Sequence, residues 1–384
     1  MSGGMQGGGG VAEDLLTTKG DTHGYTTENA RVPIGTDGQV ITADSTVPLG
    51  LGWATAGGVT QADVDESIVN NVVDRWINRG WISRVNPVNE QWNGVEYSPE
   101  LGIFVTVANT GGTNRAMSSY DGITWTGRTT PSSAYTDVVW SPELSLFCAT
   151  GYYGSNRVMT SPDGITWTGR TASTANSWVS IAYAPSLVLF CCVSQDGSGN
   201  RVMTSPDGTN WTTRTSAADN SWRGVTWSAD LSLFCAVARS GTGNRVMTSP
   251  DGITWTSRTS AADNGWEGVS WSPELSLFCA VADSGTGNRV MTSPNGITWT
   301  TRTSAADNSW KDVTWSEDLL LFCAVSSAGT NDRVMTSPDG INWTSRINAS
   351  TGGIWMSVIW GRGMFVAVSE QDNGDGHRLM STVL

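Results

Sequence analysis

Basic side chains are scarce in this chain of 384 residues, which has two Lys (Lys19, Lys311), two His (His23, His377) and a net charge of −13. No segment gathers the cations that neutralise phosphates, so nucleic acid is excluded as a partner. No apolar run reaches the length of a membrane span, and insertion into a membrane is not expected. The first 20 residues lack a basic start followed by an apolar core, the pattern of a secretory signal. Charged residues are only 15% of the chain, too few for a typical disordered tail protein. With two His, one of them near the N-terminus, no credible Ser/His/Asp arrangement exists.

Cysteine pairs of the CxxC type are also missing. The six cysteines are Cys148, Cys191, Cys192, Cys235, Cys279 and Cys323, and the series 148, 191, 235, 279, 323 steps by 43, 44, 44 and 44. That spacing points to one repeated structural position filled by a small buried thiol, not to a metal or disulfide framework.

What the chain has in excess is Gly (45) and Trp (20), and the Trp follows the same period. A Phe series runs Phe104, Phe147, Phe190, Phe234, Phe278, Phe322, Phe365. An aromatic series runs Trp92, Tyr135, Trp178, Trp222, Trp266, Trp310, Trp355, each followed three residues on by Val or Ile. An Arg series runs Arg115, Arg157, Arg201, Arg245, Arg289, Arg333, Arg378. Three independent markers count seven copies, and a period near 44 identifies a repeat architecture.

Residues 222–260 show one unit: Trp222–Trp227, a Ser-Ala-Asp turn, apolar Leu231–Val237, a loop, Arg245–Thr248, a tight turn and Ile253–Arg258. Four short antiparallel strands without a helical pattern predict a propeller blade. The fold class expected is all-β, a seven-bladed β-propeller of four-stranded blades over residues 79–384. The seventh unit stops after its third strand at His377–Leu384, while Arg79-Gly-Trp-Ile-Ser-Arg84 matches a fourth strand. The N-terminal strand is therefore expected to complete the last blade and remove an exposed edge.

The turn Ser-x-Asp-Gly-x-Thr/Asn-Trp occurs at 119–125, 161–167, 205–211, 249–255, 293–299 and 337–343. Its acceptor residues are Asp121, Asp163, Asp207, Asp251, Asn295 and Asp339. A carboxylate there can accept hairpin amides, Gly supplies a positive φ, and the Trp packs against a neighbouring sheet. The motif resembles the Asp-box of sialidase-like propellers. The arginine signature of sialidases is not recognisable, and the blade-specific acids Glu96, Glu267 and Asp312 form no obvious pair.

Residues 1–59 are Gly-rich and turn-rich, with six Gly in the first ten positions, and are too small to bury a core of their own. Asp14-Leu-Leu-Thr-Thr-Lys-Gly-Asp21, Arg31-Val-Pro-Ile-Gly-Thr-Asp-Gly-Gln-Val-Ile-Thr-Ala-Asp-Ser45 and Gly50-Leu-Gly-Trp-Ala54 resemble a segment near the N-termini of tailed-bacteriophage virion proteins. The resemblance implies a virion location, assembly in the host cytoplasm, anchoring to other virion proteins through this end, and a homotrimer. Residues 60–78 predict a connecting helix, with Thr60 and Asp63 at its start and Val64, Ile68, Val72 and Trp76 on one stripe. That stripe suits either docking on the propeller or a bundle among three copies, and the phage resemblance favours the bundle.

The expected function is a phage tail fibre or appendage that displays the propeller for attachment to host-surface glycan, with no enzymatic activity, cofactor or metal. Candidate ligand-binding residues are Asp219, Asn220, Trp222, Asp263, Asn264, Trp266, Asp307, Asn308 and Trp310, which place amides and carboxylates beside an aromatic ring. The structural alternative is that each Asp-Asn turns the chain and each Trp is core. An architectural decoration protein without a ligand and a glycan-cleaving enzyme are the competing functions.

Overall fold

The period-2 patterning of each repeat is realised as a four-stranded antiparallel meander. The computed structural model describes residues 80–154, 156–330, 332–349, 352–372 and 377–382, together with four short strands nearer the N-terminus. The chain divides into two units, Met1–Arg75 and Trp76–Leu384. In the first, Gln39–Ala43 pairs with Leu51–Thr55, and Thr22–His23 with Arg31–Val32. The helix expected over 60–78 lies outside the described residues.

The second unit is a seven-bladed propeller. Blades 1 to 6 span 92–128, 133–170, 178–214, 222–258, 266–302 and 310–346, each a four-stranded sheet in sequential order. Blade 7 takes three strands from 355–382 and its outer strand from Trp81–Arg84. Leu379 lies opposite Arg84 and Thr382 opposite Trp81, as the sequence led us to expect. The Arg84 side chain donates to Ser381 Oγ at 2.8 Å, and Trp81 stacks 6.3 Å from Phe365.

Each second strand reads apolar without alternation (Leu-Phe-Cys-Ala-Val-Ala in blades 4 and 5) because it is covered on both faces. Hydrophobic clusters accordingly straddle neighbouring blades. Trp222, Val225, Phe234 and Trp255 of blade 4 pack with Ala182, Cys191, Val193 and Val202 of blade 3. Trp92, Phe104 and Trp125 of blade 1 pack with Met364, Val366 and Leu379 of blade 7, which closes the ring. Within a blade, Phe234 lies 4.6 Å from Trp227 and 6.2 Å from Trp255. Truncating one fully buried aromatic in such a stack costs about 3–5 kcal/mol.

The periodic polar residues build the joints. Asp251 Oδ1 accepts the amides of Ile253 and Thr254, both at 2.8 Å, and the Ser249 hydroxyl at 2.9 Å. Asp121, Asp163, Asp207 and Asp339 accept the matching amides. Burial pushes Asp121 and Asp207 up, but these donors prevail and hold both down at about 2. Asn295 accepts the same two amides at 2.9 Å, so the turn needs an oxygen acceptor and not a charge. Gly252 sits at φ 69°, and a Cβ there would meet Leu189 of blade 3 at 3.0 Å. Each third-strand Arg ties its own loop to the next blade: Arg245 donates to the carbonyls of Gly241, Arg239 and Asn264 at 2.9, 2.8 and 2.9 Å. Arg378 reaches the Glu90 carbonyl at 2.7 Å, carrying this chain of bonds across the closure.

Around the axis the first strands lie backbone to backbone. A Cβ on Gly94 would come within 2.7 Å of Asp137 Cα, and one on Gly268 within 2.8 Å of Asp312 Cα. Gly268→Ala is therefore expected to cost about 1–3 kcal/mol through overpacking and to lower the thermal midpoint measurably. All six thiols are free, buried and pushed well above the ordinary thiol range by burial. Native protein should give near-zero reaction with a thiol reagent, rising to six equivalents per chain in denaturant.

Candidate functional site at the propeller axis

Every first strand carries a β-bulge directly after its leading aromatic residue: the register shifts between Trp222 and Gly224, between Trp266 and Gly268, and at the matching place in the other five blades. The extra residue is unpaired, and a bulge of this kind re-aims its side chain. In blade order these residues are Asn93, Thr136, Val179, Arg223, Glu267, Lys311 and Met356. Seven otherwise similar repeats therefore have seven different residues at one position, and all seven line a single axial cavity of about 350 Å³.

The bulges sit at the end of the blades where the second-to-third loops lie. On one side of this mouth, blades 4 to 6 form a charged network. Lys311 Nζ is 3.3 Å from Glu267 Oε1 and 3.3 Å from Asp283 Oδ2. Arg239 lies 2.6 Å from Asp283 and 3.5 Å from Glu267, and Arg223 Nε is 3.8 Å from Glu267. Burial lifts Glu267 despite its cationic neighbours. Asp283 is held down, against the push of burial, by a hydrogen bond from Glu267 and by Lys311 and Arg239. On the other side Met356, Asn93, Thr136 and Val179 carry no charge.

Deeper along the axis the side chains two positions after the leading aromatic reach to the next blade. Asp137 Oδ2 accepts the Ile181 amide at 3.0 Å, Ser180 Oγ the Val225 amide at 3.3 Å, and Asp312 Oδ2 the Val358 amide at 3.0 Å. Asp312 also takes the Ser357 hydroxyl at 2.8 Å. Glu96, two residues further, accepts the Tyr97 amide at 2.8 Å. Burial pushes Glu96 up to about 8 and Asp137 to about 7, with the charges of Asp137 and Asp312 adding to the effect at Glu96. Burial raises Asp312 as well. The fold thus gathers Glu96, Glu267 and Asp312, which look unrelated in the sequence, and adds Asp137, which the sequence reading passed over. The signal that marks them is the departure of each from its repeat at positions one, two and four after the leading aromatic.

The loop residues expected to bind ligand are placed differently. Trp222, Trp266 and Trp310 are fully buried, and their Nε1 atoms donate to the Ala218, Ala262 and Ala306 carbonyls at 3.0 Å each. No ring face is open to a sugar, so the expectation of stacking on these three rings is corrected: they are core. Asn220, Asn264 and Asn308 are buried too, each Nδ2 bonding the carbonyl of Asn244, Asn288 or Asp332 at 2.8 Å. Asp219, Asp263 and Asp307 are half exposed and accept the amides of Gly199, Gly243 and Gly287 at 2.6, 2.7 and 2.7 Å. These nine residues knit adjacent loops together.

No family model matches the sequence, and no curated protein matches it. Solved structures share the fold. A virginiamycin B lyase from Staphylococcus aureus superposes with a TM-score of 0.66 at 10% identity, covering 79% of this chain and 97% of its own. YCF48 bound to D1 peptide gives 0.58 at 14% identity over 79% and 95%. A chain of the mitotic checkpoint complex gives 0.60 at 14% over 81% and 94%. The chain is similar to all three in being a propeller. Among the described residues no helix is long and apolar enough to cross a membrane, and no cluster of three or more potential ligands is arranged for a metal.

A carboxyl with a raised folded-state pKa binds its proton more tightly when folded, so its contribution is complete below the unfolded value near 4 and is lost as pH rises through the folded value. For Glu96 and Asp137 the window runs from about 4 up to about 8 and about 7. The unfolding free energy should fall across this window by on the order of 1 kcal/mol per group per pH unit, and the thermal midpoint with it. Glu96→Gln should flatten the upper part of that slope in a series of melting curves.

Proposed function

We propose that the chain is a structural protein of a tailed-phage virion, a tail fibre or related appendage, whose propeller attaches non-covalently to host-surface glycan at its axial mouth. The observation that carries this reading is the ring of seven dissimilar bulge residues within near-copied blades. Positions that only hold a repeat together have no reason to diverge, whereas a concave polar site of convergent side chains is what recognition requires. The N-terminal likeness to phage virion segments supports the location, and with it anchoring to other virion proteins and a trimer. The lyase with a similar fold is catalytically inactive once one histidine is replaced by alanine. Here no histidine lines the described cavity, which favours binding over that kind of chemistry.

A second reading is architectural. At the opposite end of the blades Leu231, Leu275 and Leu320 are 37–40% exposed, and Ile253, Ile297 and Ile341 are 44–48% exposed, an apolar ring suited to covering virion subunits. Reconstruction of the particle and adhesion assays separate the two. We expect the mouth to face solvent, and Met356→Trp in the full chain to reduce retention on host cells at least tenfold. A mouth packed against another virion subunit would overturn the attachment reading.

A further inference from the structure

We propose that the axial mouth recognises a carboxylated sugar, its carboxylate received by Arg223 and Lys311 and its uncharged ring lying toward Val179 and Met356. This deepens the attachment reading and rests on it.

The charged half of the mouth has unspent capacity for an anion. Three cations, Arg223, Arg239 and Lys311, face two carboxyls, Glu267 and Asp283, while a third, Glu370, acts on Tyr152 and accepts a hydrogen bond from Asn109 Nδ2 at 3.1 Å. The two carboxyls are hydrogen-bonded to each other, and Glu267 is the one inclined to keep a proton. Arg223 Nε is buried with no hydrogen-bond partner, and its 3.8 Å separation from Glu267 is too long for a bond. Tyr152 lines the same cavity, and the Arg223 charge acts on its hydroxyl. By contrast the periodic Arg245 spends its guanidinium on three carbonyls. Lys311 holds both its carboxylate partners at 3.3 Å, beyond the usual 2.7–2.9 Å of a charge-assisted bond. A guanidinium that is incompletely paired and still partly exposed, beside an ammonium, is suited to a ligand carboxylate.

Position in the fold adds to this. The repeated turn carboxylates Asp121, Asp163, Asp207, Asp251 and Asp339 lie at the far end of the meanders, away from the mouth. Deeper in the cavity Glu96, Asp137 and Asp312 are drawn toward the neutral form by burial, which weakens their repulsion of an entering anion. A simple anion would occupy only the charged half. Val179 and Met356 offer apolar contact for ring C–H groups, and Thr226 and Thr314 line the wall below. A cavity of about 350 Å³ suits a small ligand and not a folded protein segment.

The test is calorimetric titration of the full chain with oligomers of galacturonate, glucuronate and N-acetylneuraminate, their methyl esters, acetate, and a short peptide with a free C-terminus. At least one acidic oligomer should bind tenfold or more tightly than its ester and than acetate, and lose affinity as salt rises. Arg223→Gln and Lys311→Gln should each weaken it tenfold or more while the variant still melts in one cooperative transition above the assay temperature, and Met356→Trp should abolish it while leaving the charges in place. No binding by any acidic oligomer, equal binding of the esters, tighter binding of acetate or the peptide, or indifference to Arg223→Gln would each overturn the proposal. If cells are still bound and Met356→Trp alone blocks adhesion, the carboxylated-sugar assignment falls and the attachment reading stands. If Met356→Trp leaves adhesion intact, attachment through the mouth falls as well.

Discussion

Seven strands meet at one axis with backbone lying against backbone, and that closeness governs what every blade can be. Where Gly94 faces Asp137, or Gly268 faces Asp312, there is no room for a side chain pointing at the neighbour. At Asp137, Ser180 and Asp312 the side chain that stands at that place is an oxygen acceptor that takes the neighbour's amide, and Ser357 instead donates its hydroxyl to Asp312. The bulge one residue earlier is the release from this crowding. It turns one residue per blade that is unpaired in the ladder toward the cavity, and at Thr136 the side chain is spent on carbonyls of its own and the next blade.

That geometry separates two kinds of position. The leading Trp, the second-strand Phe, the turn Asp and the third-strand Arg each meet a neighbour that repeats with the same period. A change at one of them leaves a cavity or an unpaired donor. Near-identity of the blades follows from this mutual dependence and says nothing about a ligand. The bulge residues have no periodic partner. Their variety, from Val179 to Arg223 to Glu267, is where the ring gives up its symmetry, and a single ligand on a sevenfold axis can be recognised only where symmetry is broken.

Electrostatics follows the same division. Turn carboxylates such as Asp121 and Asp207 are held down by two backbone amides and a hydroxyl each, and their charge is locally useful. Axial carboxyls such as Glu96 and Asp137 have amide partners too, but burial outweighs them and the acids crowd one another. The same side chain stabilises a hairpin at the rim and titrates near neutrality at the centre, because the dielectric surroundings differ and not the number of bonds.

The period of the Phe, Trp and Arg series was enough to read off the blade count, the strand order, the buried thiols and the closure by residues 81–84. Each depends on local patterning and on a repeat too short to fold except by stacking. The candidate site was not legible in that way. Trp222, Trp266 and Trp310 looked like sugar platforms beside polar loops, yet only packing decides whether an aromatic ring ends under a neighbouring sheet or on the surface, and here it puts them under one. Conversely, Arg223, Glu267 and Lys311 lie 44 residues apart in sequence, and nothing local joins them. Packing of successive blades around the axis brings them within ion-pair distance, because it makes corresponding positions of consecutive repeats neighbours in space.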